Sequence, residues 1–546
     1  MVVFAAAYGR PVRKPVFSEV SPEASGIRWS HFNAISDDRW IPEIMGAGCA
    51  FLDYDGDGWM DVYLVNTGPD HSNALYRNNH NGTFTDVTRK AGVQGGNFGM
   101  GVAVGDANND GYPDLMLTGA GASIYYRNNG DGTFTNATAE AGLAIAGWTT
   151  SAAWFDYDGD GFVDLFVGSY VPGALQSHRS CPADPEGPRS YCSPRSFGVS
   201  PGLMFHNNRN GTFSEVGRDS VIGSSGGKAL GVIATDVNND GRMDLFVTND
   251  TERNFLFLNR GKDQSGRVTW EETGVRAGVA YNEAGRARAG MGVDAWDFTG
   301  DGWPDLFVAN LSLEMFGLFR NRRDGTFTDI AAAGQLGKTT RPLSGWGLKF
   351  FDYDNDGEAD LIVANGYPND RVGDAFQPIR FLEPLLLLHG KDGDPEDARE
   401  EGGPVFARPL SARGLAVGDY DNDGRADALI TTNGGAPVLL HNQAGGRNNW
   451  LGLYLRGMTC NRDAIGARVR WSAGGRIYSI QKNGGGSYLS SQDPRVLLGL
   501  GQNKLDWLEI RWPAPSTRVE RIRDIRLNRY VTVVEGGSVI GGRAKY

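Results

Sequence analysis

The sequence predicts an all-β fold: a seven-bladed β-propeller followed by a small C-terminal β domain. Three observations carry that prediction. A twelve-residue pattern recurs seven times, starting at Asp53, Asp106, Asp156, Asp236, Asp297, Asp352 and Asp419. Each copy is flanked by short, Gly-punctuated runs of β-forming residues, and a repeat of this kind outranks any estimate of domain number from length. Glycine accounts for 78 of 546 residues and long helical periodicities are few, as a turn-dense β chain requires.

The pattern puts an oxygen-bearing side chain at positions one, three and five, Gly at six and Asp at nine. In the first copy the oxygen positions are Asp53, Asp55, Asp57 and Asp61; in the second they are Asp106, Asn108, Asp110 and Asp114. The third has Asp156, Asp158, Asp160 and Asp164, and the fourth Asp236, Asn238, Asp240 and Asp244. Asp297, Thr299, Asp301 and Asp305 form the fifth, Asp352, Asp354, Asp356 and Asp360 the sixth, and Asp419, Asp421, Asp423 and Asp427 the seventh. Hard oxygen ligands in a flexible loop suit Ca²⁺ better than Mg²⁺, which demands tight octahedral geometry and keeps its waters.

An EF-hand is excluded, because position twelve is Leu64, Leu117, Val167, Val247, Val308, Val363 and Ile430, where that motif needs a bidentate Glu. No thiolate or imidazole lies within any loop, which argues against zinc. Up to seven Ca²⁺ ions are expected, one per blade, with a structural role at the turn between the first two strands. Loops with four Asp, at 53, 156, 352 and 419, are expected to bind more tightly than those with three. The Asp297 loop is expected to be weakest, since Thr299 offers only a hydroxyl.

The formal net charge of −12 belongs to these loops, whose ligand positions hold 25 Asp residues; without them the balance is positive. The acidity therefore advertises no basic partner, and nothing points to nucleic acid. No run of 18 apolar residues occurs, so no membrane-spanning helix is expected. The opening MVVFAAAYGRPVRKP has too short an apolar patch, and no basic start, for a complete signal peptide. The numbering is expected to begin near a processing point or an expression boundary.

In chain order, each loop follows a small-residue strand, such as GAGCAFLD from 46 or GMGVAVGD from 99; small residues let neighbouring backbones approach, as the inner strands of a ring must. A third strand then ends in Asn-Gly or Asp-Gly, as in LYRNNHNGTF from 75, a strong hairpin signal. A fourth strand such as TFTDVTRKAGV from 83 completes a blade of about fifty residues. Excess spacing marks insertions at about 171–201, 260–288 and 367–403. The last contains KDGDPEDAREEGG from 391, read as a solvated, mobile loop.

A solitary fourth-strand pattern at 17–20 precedes the first loop, and the seventh repeat lacks one. Residues 17–20 are therefore expected to close the seventh blade. The boundaries follow: a tail at 1–14, the propeller at 15–445, the C-terminal β domain at 446–538 and a tail at 539–546.

Cys181 and Cys192 share a Pro-rich insertion. A disulfide closing it is the leading reading, with two unpaired small hydrophobes as the alternative. Cys49, in AGCAFLDYD, is expected to be a buried thiol. Numerous calcium loops in a disulfide-bonded chain favour an extracellular or periplasmic setting.

The D-x-[DNT]-x-D-G-x-x-D loops, G-x-G-x-A strands and N-G-T-F turns resemble FG-GAP (VCBS) repeats. The tail, with 461–467 (NRDAIGA), 484–492 (GGGSYLSSQ), 498–501 (LGLG) and 511–513 (RWP), resembles an ASPIC/UnbV domain. Together they look like the cartilage acidic protein family in its bacterial form. That resemblance implies secretion, calcium binding and adhesive roles, and some bacterial relatives accompany secondary-metabolite pathways. Animal members carry a Cys-rich EGF-like module after this domain, and what is attributed to that module does not transfer to residues ending at Tyr546.

For catalysis there is no G-x-S-x-G elbow, Walker loop or dinucleotide fingerprint. His206 and His441 take the Arg place of the Y-R-N turn and read as structural; His31, His71, His80, His178 and His389 are scattered. The one candidate acid/base group is His31 with Asp37, Asp38 and Glu43. Two functions remain: a secreted calcium-binding propeller that binds a protein or glycan, or a calcium-dependent cyclase or isomerase acting on a small-molecule substrate in a face pocket.

Overall fold

Each Asp loop turns the chain between two antiparallel strands, and the sheet grows outward from there. A computed structural model describes residues 14–541 except 68–70, 97, 174, 176–180, 182–188, 373–378 and 392. Residues 1–13 and 542–546, His178, and parts of the insertions at 171–201 and 367–403 lie outside the described residues. In the first repeat, Cys49–Leu52, Asp61–Leu64, Ala74–Asn78 and Phe84–Asp86 lie side by side in chain order, with Leu52 opposite Asp61. The fifth and sixth repeats follow the same order. In the seventh, Phe17–Val20 pairs antiparallel with Val438–Asn442, so chain ends meet in one sheet. Phe17 is fully buried there, against Phe351, Tyr353 and Phe406.

The expected all-β, closed seven-bladed class is corrected by the structure. The architecture is mixed α/β, with eight short helices among the described residues and several separate open sheets. Strands of the second and third repeats share one eight-stranded sheet, joined where Trp148 lies opposite Ala120. The helices, of four to six residues, sit mostly in the connections between repeats. Ser21 and Ser220 cap two of them by accepting from Ala24 N–H and Ile222 N–H, the preferred chemistry at a helix start. Single turns are too short to leave a helical period in the sequence.

Two insertions carry strands, and for the second this corrects the expectation of a mobile loop. Residues 260–272 are a strand hairpin, Phe255–Lys262 with Val268–Glu272. The charged run read as a solvated loop supplies the fourth strand of the sixth sheet, Asp394–Asp397, opposite Leu386–Lys391. Arg399–Gly402 and Pro404–Ala407 then form two helical turns.

The C-terminal region folds as two four-stranded sheets. Trp450–Arg456 runs parallel to Tyr530–Val534 in one, and Arg468–Ala473 is central in the other. Leu453, Leu498, Trp471, Leu508 and Val533 fill the space between them. The last strand, Ser538–Gly541, runs into the segment expected to be a tail.

One segment of this region, 484–493, reaches the first strands of all seven repeats. Ser491 N–H donates to Cys49 O (3.0 Å), and Leu489 O accepts from Val102 N–H (3.1 Å). Leu489 N–H donates to Ser151 Oγ (3.0 Å). Gly486 N–H donates to Val232 O (2.8 Å), and Ser487 exchanges backbone bonds with Val293. Ser487 Oγ accepts from Leu348 N–H (3.2 Å) and donates to Leu415 O (2.8 Å).

This approach explains the small residues of the first strands. A Cβ on Gly48 would lie 1.6 Å from Leu489 O, and one on Gly484 would lie 2.2 Å from Trp154 O. Gly48→Ala is therefore expected to cost about 1–3 kcal/mol in chemical denaturation, while Gly96→Ala, with nothing within 4 Å, stays near wild type. Phe17→Ala is expected to cost about 3–5 kcal/mol; a loss below about 1 kcal/mol would contradict its place in the seventh sheet.

Candidate metal centres

The loops owe their shape to two carboxylates that tie the backbone. In the first, Asp53 Oδ1 accepts from Asp57 N–H (3.0 Å) and Oδ2 from Gly58 N–H (2.9 Å). Asp61 accepts from Tyr54 N–H (3.1 Å) across the loop and from Asn78 N–H (2.8 Å) in the third strand. The same pairs recur in the other loops, for example Asp419 with Asp423 and Gly424, and Asp427 with Tyr420 and Asn442. The fifth loop departs: Asp305 accepts from Thr299 N–H, one residue later than elsewhere.

Third-strand Asn side chains then clamp one repeat to another. Asn128 Nδ2 donates to Tyr54 O (2.9 Å), Asn207 to Ala107 O (2.7 Å) and Asn442 to Tyr353 O (2.8 Å). Asn78 Nδ2 reaches Tyr420 O (2.8 Å), linking the first repeat to the seventh.

Position three is different. Asp55 Oδ1, Asp158 Oδ1, Asp421 Oδ1 and Thr299 Oγ1 are buried without a hydrogen-bond partner. Ligand oxygens of Asp53, Asp55 and Asp57 lie within 4.8 Å of one another, as do those of Asp156, Asp158 and Asp160, and of Asp352, Asp354 and Asp356. Burial, then neighbouring carboxylates, raises these acids: Asp53 to about 7 and Asp156 to about 8. Buried, mutually repelling, acceptor-only groups with an orphaned oxygen fit a divalent cation.

Imidazoles join these sites, which the loops alone did not reveal. His206 Nδ1 stands 3.2 Å from Asp164 Oδ1, and His389 Nδ1 2.9 Å from Asp360 Oδ1. His441 Nδ1 lies 3.4 Å from both Asp421 and Asp427. Asp158, Asp164 and His206 form one ligand cluster; Asp421, Asp423 and His441 form another. The only signal in the sequence was the replacement of the turn Arg. In the first repeat the turn Arg remains and neutralises its loop, Arg77 meeting Asp55 at 2.8 Å; Arg127 in the second turns to Glu140 instead.

Of the acid/base candidates, His31, Glu43 and Asp38 each have their own partners. His31 is buried; its Nδ1 accepts from Gly434 N–H (3.0 Å) and its Nε2 meets Thr67 Oγ1 at 2.7 Å. Burial lowers it to about 3, so it stays neutral. Buried Glu43 accepts from Ser36 Oγ (2.5 Å) and Tyr191 OH (3.2 Å). Asp37 and Asp38 are exposed, and Asp38 pairs with Arg189. Cys181 and Cys192 form a disulfide with Cα atoms 5.0 Å apart, while Cys49 is a buried free thiol raised to about 12 by burial. No helix among the described residues is long and apolar enough to cross a membrane.

The family described as ASPIC and UnbV matches residues 457–540. The FG-GAP-like repeat matches residues 53–117, 108–167, 198–247 and 297–363. Cartilage acidic protein 1 of Mus musculus is 28% identical over 299 residues, 52% of this chain and 41% of that protein. The Homo sapiens protein is 28% identical over 301 residues, 52% of this chain and 40% of its own length. The match thus spans about two-fifths of these curated relatives.

Among solved structures, an Agrocybe aegerita lectin that recognises non-reducing terminal N-acetylglucosamine aligns with TM-score 0.39 and 17% identity, over 71% of this chain and 86% of that one. A Bacillus licheniformis rhamnogalacturonan lyase aligns with TM-score 0.32 and 16% identity, over 82% and 74%. These likenesses are too slight to bear on a ligand. The chain carries FG-GAP-like repeats and a C-terminal ASPIC and UnbV domain, and is a homologue, at low identity, of cartilage acidic protein 1.

Proposed function

We propose that this is a secreted protein that holds Ca²⁺ in its Asp loops and binds a protein or glycan partner through the opposite ends of its sheets. The repeat unit is taken as residues 15–445 and the C-terminal domain as 446–538, with up to seven ions, one per loop. The observation that carries the metal reading is the buried, partnerless oxygen at position three in four loops. Oxygen donors dominate every loop, which favours Ca²⁺. The disulfide agrees with an oxidising compartment.

The partner reading rests on which end of the repeats is free. Several Asp loops pack against the C-terminal domain: Asp463 accepts from Asp106 N–H, and Arg462 N–H donates to Asn109. At the other end Phe32, Ile35, Leu313 and Leu382 are each more than 40% exposed, and large apolar side chains on a rim of charge mark interaction surfaces.

Calorimetric titration is expected to show binding at or below about 1 mM Ca²⁺, with the Asp297 loop filling last. No heat and no thermal shift at that concentration would overturn the metal reading. The pH dependence has a definite sign. Asp156 is raised to about 8 from an unfolded value of about 3.9, so without metal its contribution to stability is present below pH ~4 and lost as pH rises through ~8. Metal-free wild type is therefore expected to lose thermal midpoint relative to Asp156→Asn as pH rises, and saturating Ca²⁺ to reverse that trend. An opposite slope in the metal-free protein would contradict the burial of this carboxyl.

For the partner surface, Ca²⁺-loaded protein is expected to bind on a glycan array or a panel of secreted proteins. Ile35→Glu with Leu313→Glu is expected to abolish that binding without lowering the melting temperature. Retained binding by the double variant would place the partner elsewhere.

A further inference from the structure

One third-strand position, just before the clamping Asn or, in the sixth repeat, before Gly390, differs in kind from repeat to repeat. It holds Arg77, Arg127 and Arg320 in the first, second and fifth, Leu258 in the fourth, and His206, His389 and His441 in the third, sixth and seventh. An Arg there can only bring charge, whereas a neutral imidazole brings a lone pair. His389 spends its Nδ1 on Asp360 Oδ1 at 2.9 Å, and His80, at the first loop, spends Nε2 on Asp57 at 2.7 Å. His206 and His441 differ from both. The Nδ1 of each is buried without a hydrogen-bond partner, although carboxylate oxygens stand close: Asp164 Oδ1 at 3.2 Å in the third loop, Asp421 Oδ2 and Asp427 Oδ1 at 3.4 Å in the seventh. In the same two loops the position-three carboxylate, Asp158 or Asp421, also keeps a buried Oδ1 with no partner.

Donor atoms of Asp158, Asp164 and His206 lie within 4.8 Å of one another, as do those of Asp421, Asp423 and His441. Nearby cations are engaged elsewhere on the loops: Arg209 holds Asp160 Oδ2 (2.7 Å), Arg425 holds Asp423, and Lys262 stands 3.6 Å from the other oxygen of Asp158. A bare nitrogen and a bare carboxylate oxygen buried in one loop would each carry an unmet desolvation cost. One cation between them satisfies both. Ca²⁺ takes oxygen ligands, while imidazole suits the first-row transition ions, whose affinity for mixed N/O sites is higher. No imidazole lies within the loops themselves; the third strand supplies it from outside.

We infer that the third and seventh loops hold a transition dication of the Zn²⁺ type in preference to Ca²⁺, through His206 with Asp158 and Asp164 and through His441 with Asp421 and Asp423. The remaining loops, whose unspent donors are oxygens, keep Ca²⁺. This division rests on the reading of the Asp loops as cation sites and sorts them into two classes by one third-strand residue.

Co²⁺, a spectroscopic stand-in for Zn²⁺, is the probe, added to the full chain in about 1 mM Ca²⁺. Binding is read by ligand-field absorption, and imidazole ligation by paramagnetically shifted His ring protons. About two equivalents are expected, both displaced by Zn²⁺ and neither by Ca²⁺. His206→Arg and His441→Arg install the residue that the first, second and fifth repeats carry, and each is expected to weaken its own site at least about ten-fold. His206→Gln and His441→Gln are expected to do the same without adding charge, whereas His389→Gln keeps both equivalents. Ca²⁺ heats from the other loops, unchanged in every variant, report that the variants fold. A Co²⁺ signal that survives in the variant lacking both His206 and His441, that ~1 mM Ca²⁺ abolishes in wild type, or that is absent from wild type at ~0.1 mM Co²⁺ would overturn the division and leave the calcium reading standing. A His-dependent Co²⁺ signal in a chain that shows no Ca²⁺ heat would support these two sites and overturn the calcium reading instead.

Discussion

Ten residues, 484–493, hydrogen-bond the first strands of all seven repeats, at backbone groups in six and at the Ser151 hydroxyl in the third, and much of the rest of the molecule answers to that constraint. The segment spends its polar side chains inward: Ser487, Ser490 and Tyr488 are buried, with Tyr488 OH donating to Met45 O (3.1 Å) and Gln492 Oε1 accepting from Val417 N–H (2.7 Å). Strand edges left without partners at the centre would each cost a desolvated polar group. A single crossing segment removes that cost for strands that cannot reach one another. The requirement it imposes is local smallness: a Cβ on Gly48 would meet Leu489 O at 1.6 Å and one on Gly414 would meet Ser490 Oγ at 2.8 Å, while Gly231 and Gly292 make room for the next repeat, at Met291 O and Trp346 O.

Charge is the second constraint, and it acts at the other end of the same strands. Each Asp at position nine is buried and accepts two backbone N–H bonds, one from its own loop and one from the third strand. Those bonds define the turn but do not neutralise it, because amides carry no net charge. Arg209 at Asp160, Arg323 at Asp301 and Arg425 at Asp423 supply partial neutralisation from the outer surface. The buried oxygen at position three is beyond their reach. A loop of this kind is thus electrostatically incomplete by construction, and the crowding that raises its acids is the same crowding that would hold a cation.

What was legible in the sequence was whatever is local. Loop positions one to nine, the Asn-Gly turns and the Cys181–Cys192 bridge all lie within a dozen residues of their partners, so spacing alone exposes them. The His206 and His441 contacts join residues far apart in the chain, and only the displacement of an Arg hinted at them. The charged run at 394–397 was read as loop because DPED is poor in β-formers and contains Pro395; it survives as a strand because it sits at a sheet edge, where a missing N–H is tolerated. The short helices and the 484–493 segment leave no period at all. Residues 484–492 stand out in the sequence only by their resemblance to an ASPIC/UnbV domain, and their reach into every repeat depends on long-range contacts.

The two constraints meet at the junction with the C-terminal domain. Tyr530 OH donates to Asp419 Oδ2 (2.7 Å), the oxygen that also receives Gly424 N–H, and Arg495 donates to Asp419 O (2.6 Å). Asp236 N–H donates to Gln481 (3.2 Å), and Arg468 donates to Gly302 O. Loops in several repeats are therefore shaped on one side by their own carboxylates and on the other by the domain that sends 484–493 inward. Ordering either side lowers the entropy cost of ordering the other, so the proposed cation binding would share a free energy with domain docking. By reciprocity, a cation that tightens the junction is itself held more firmly when the junction is closed. The hydrogen bonds that join loops to the C-terminal domain therefore give a route by which a substitution that loosens 484–493 would reach the loops without touching a ligand.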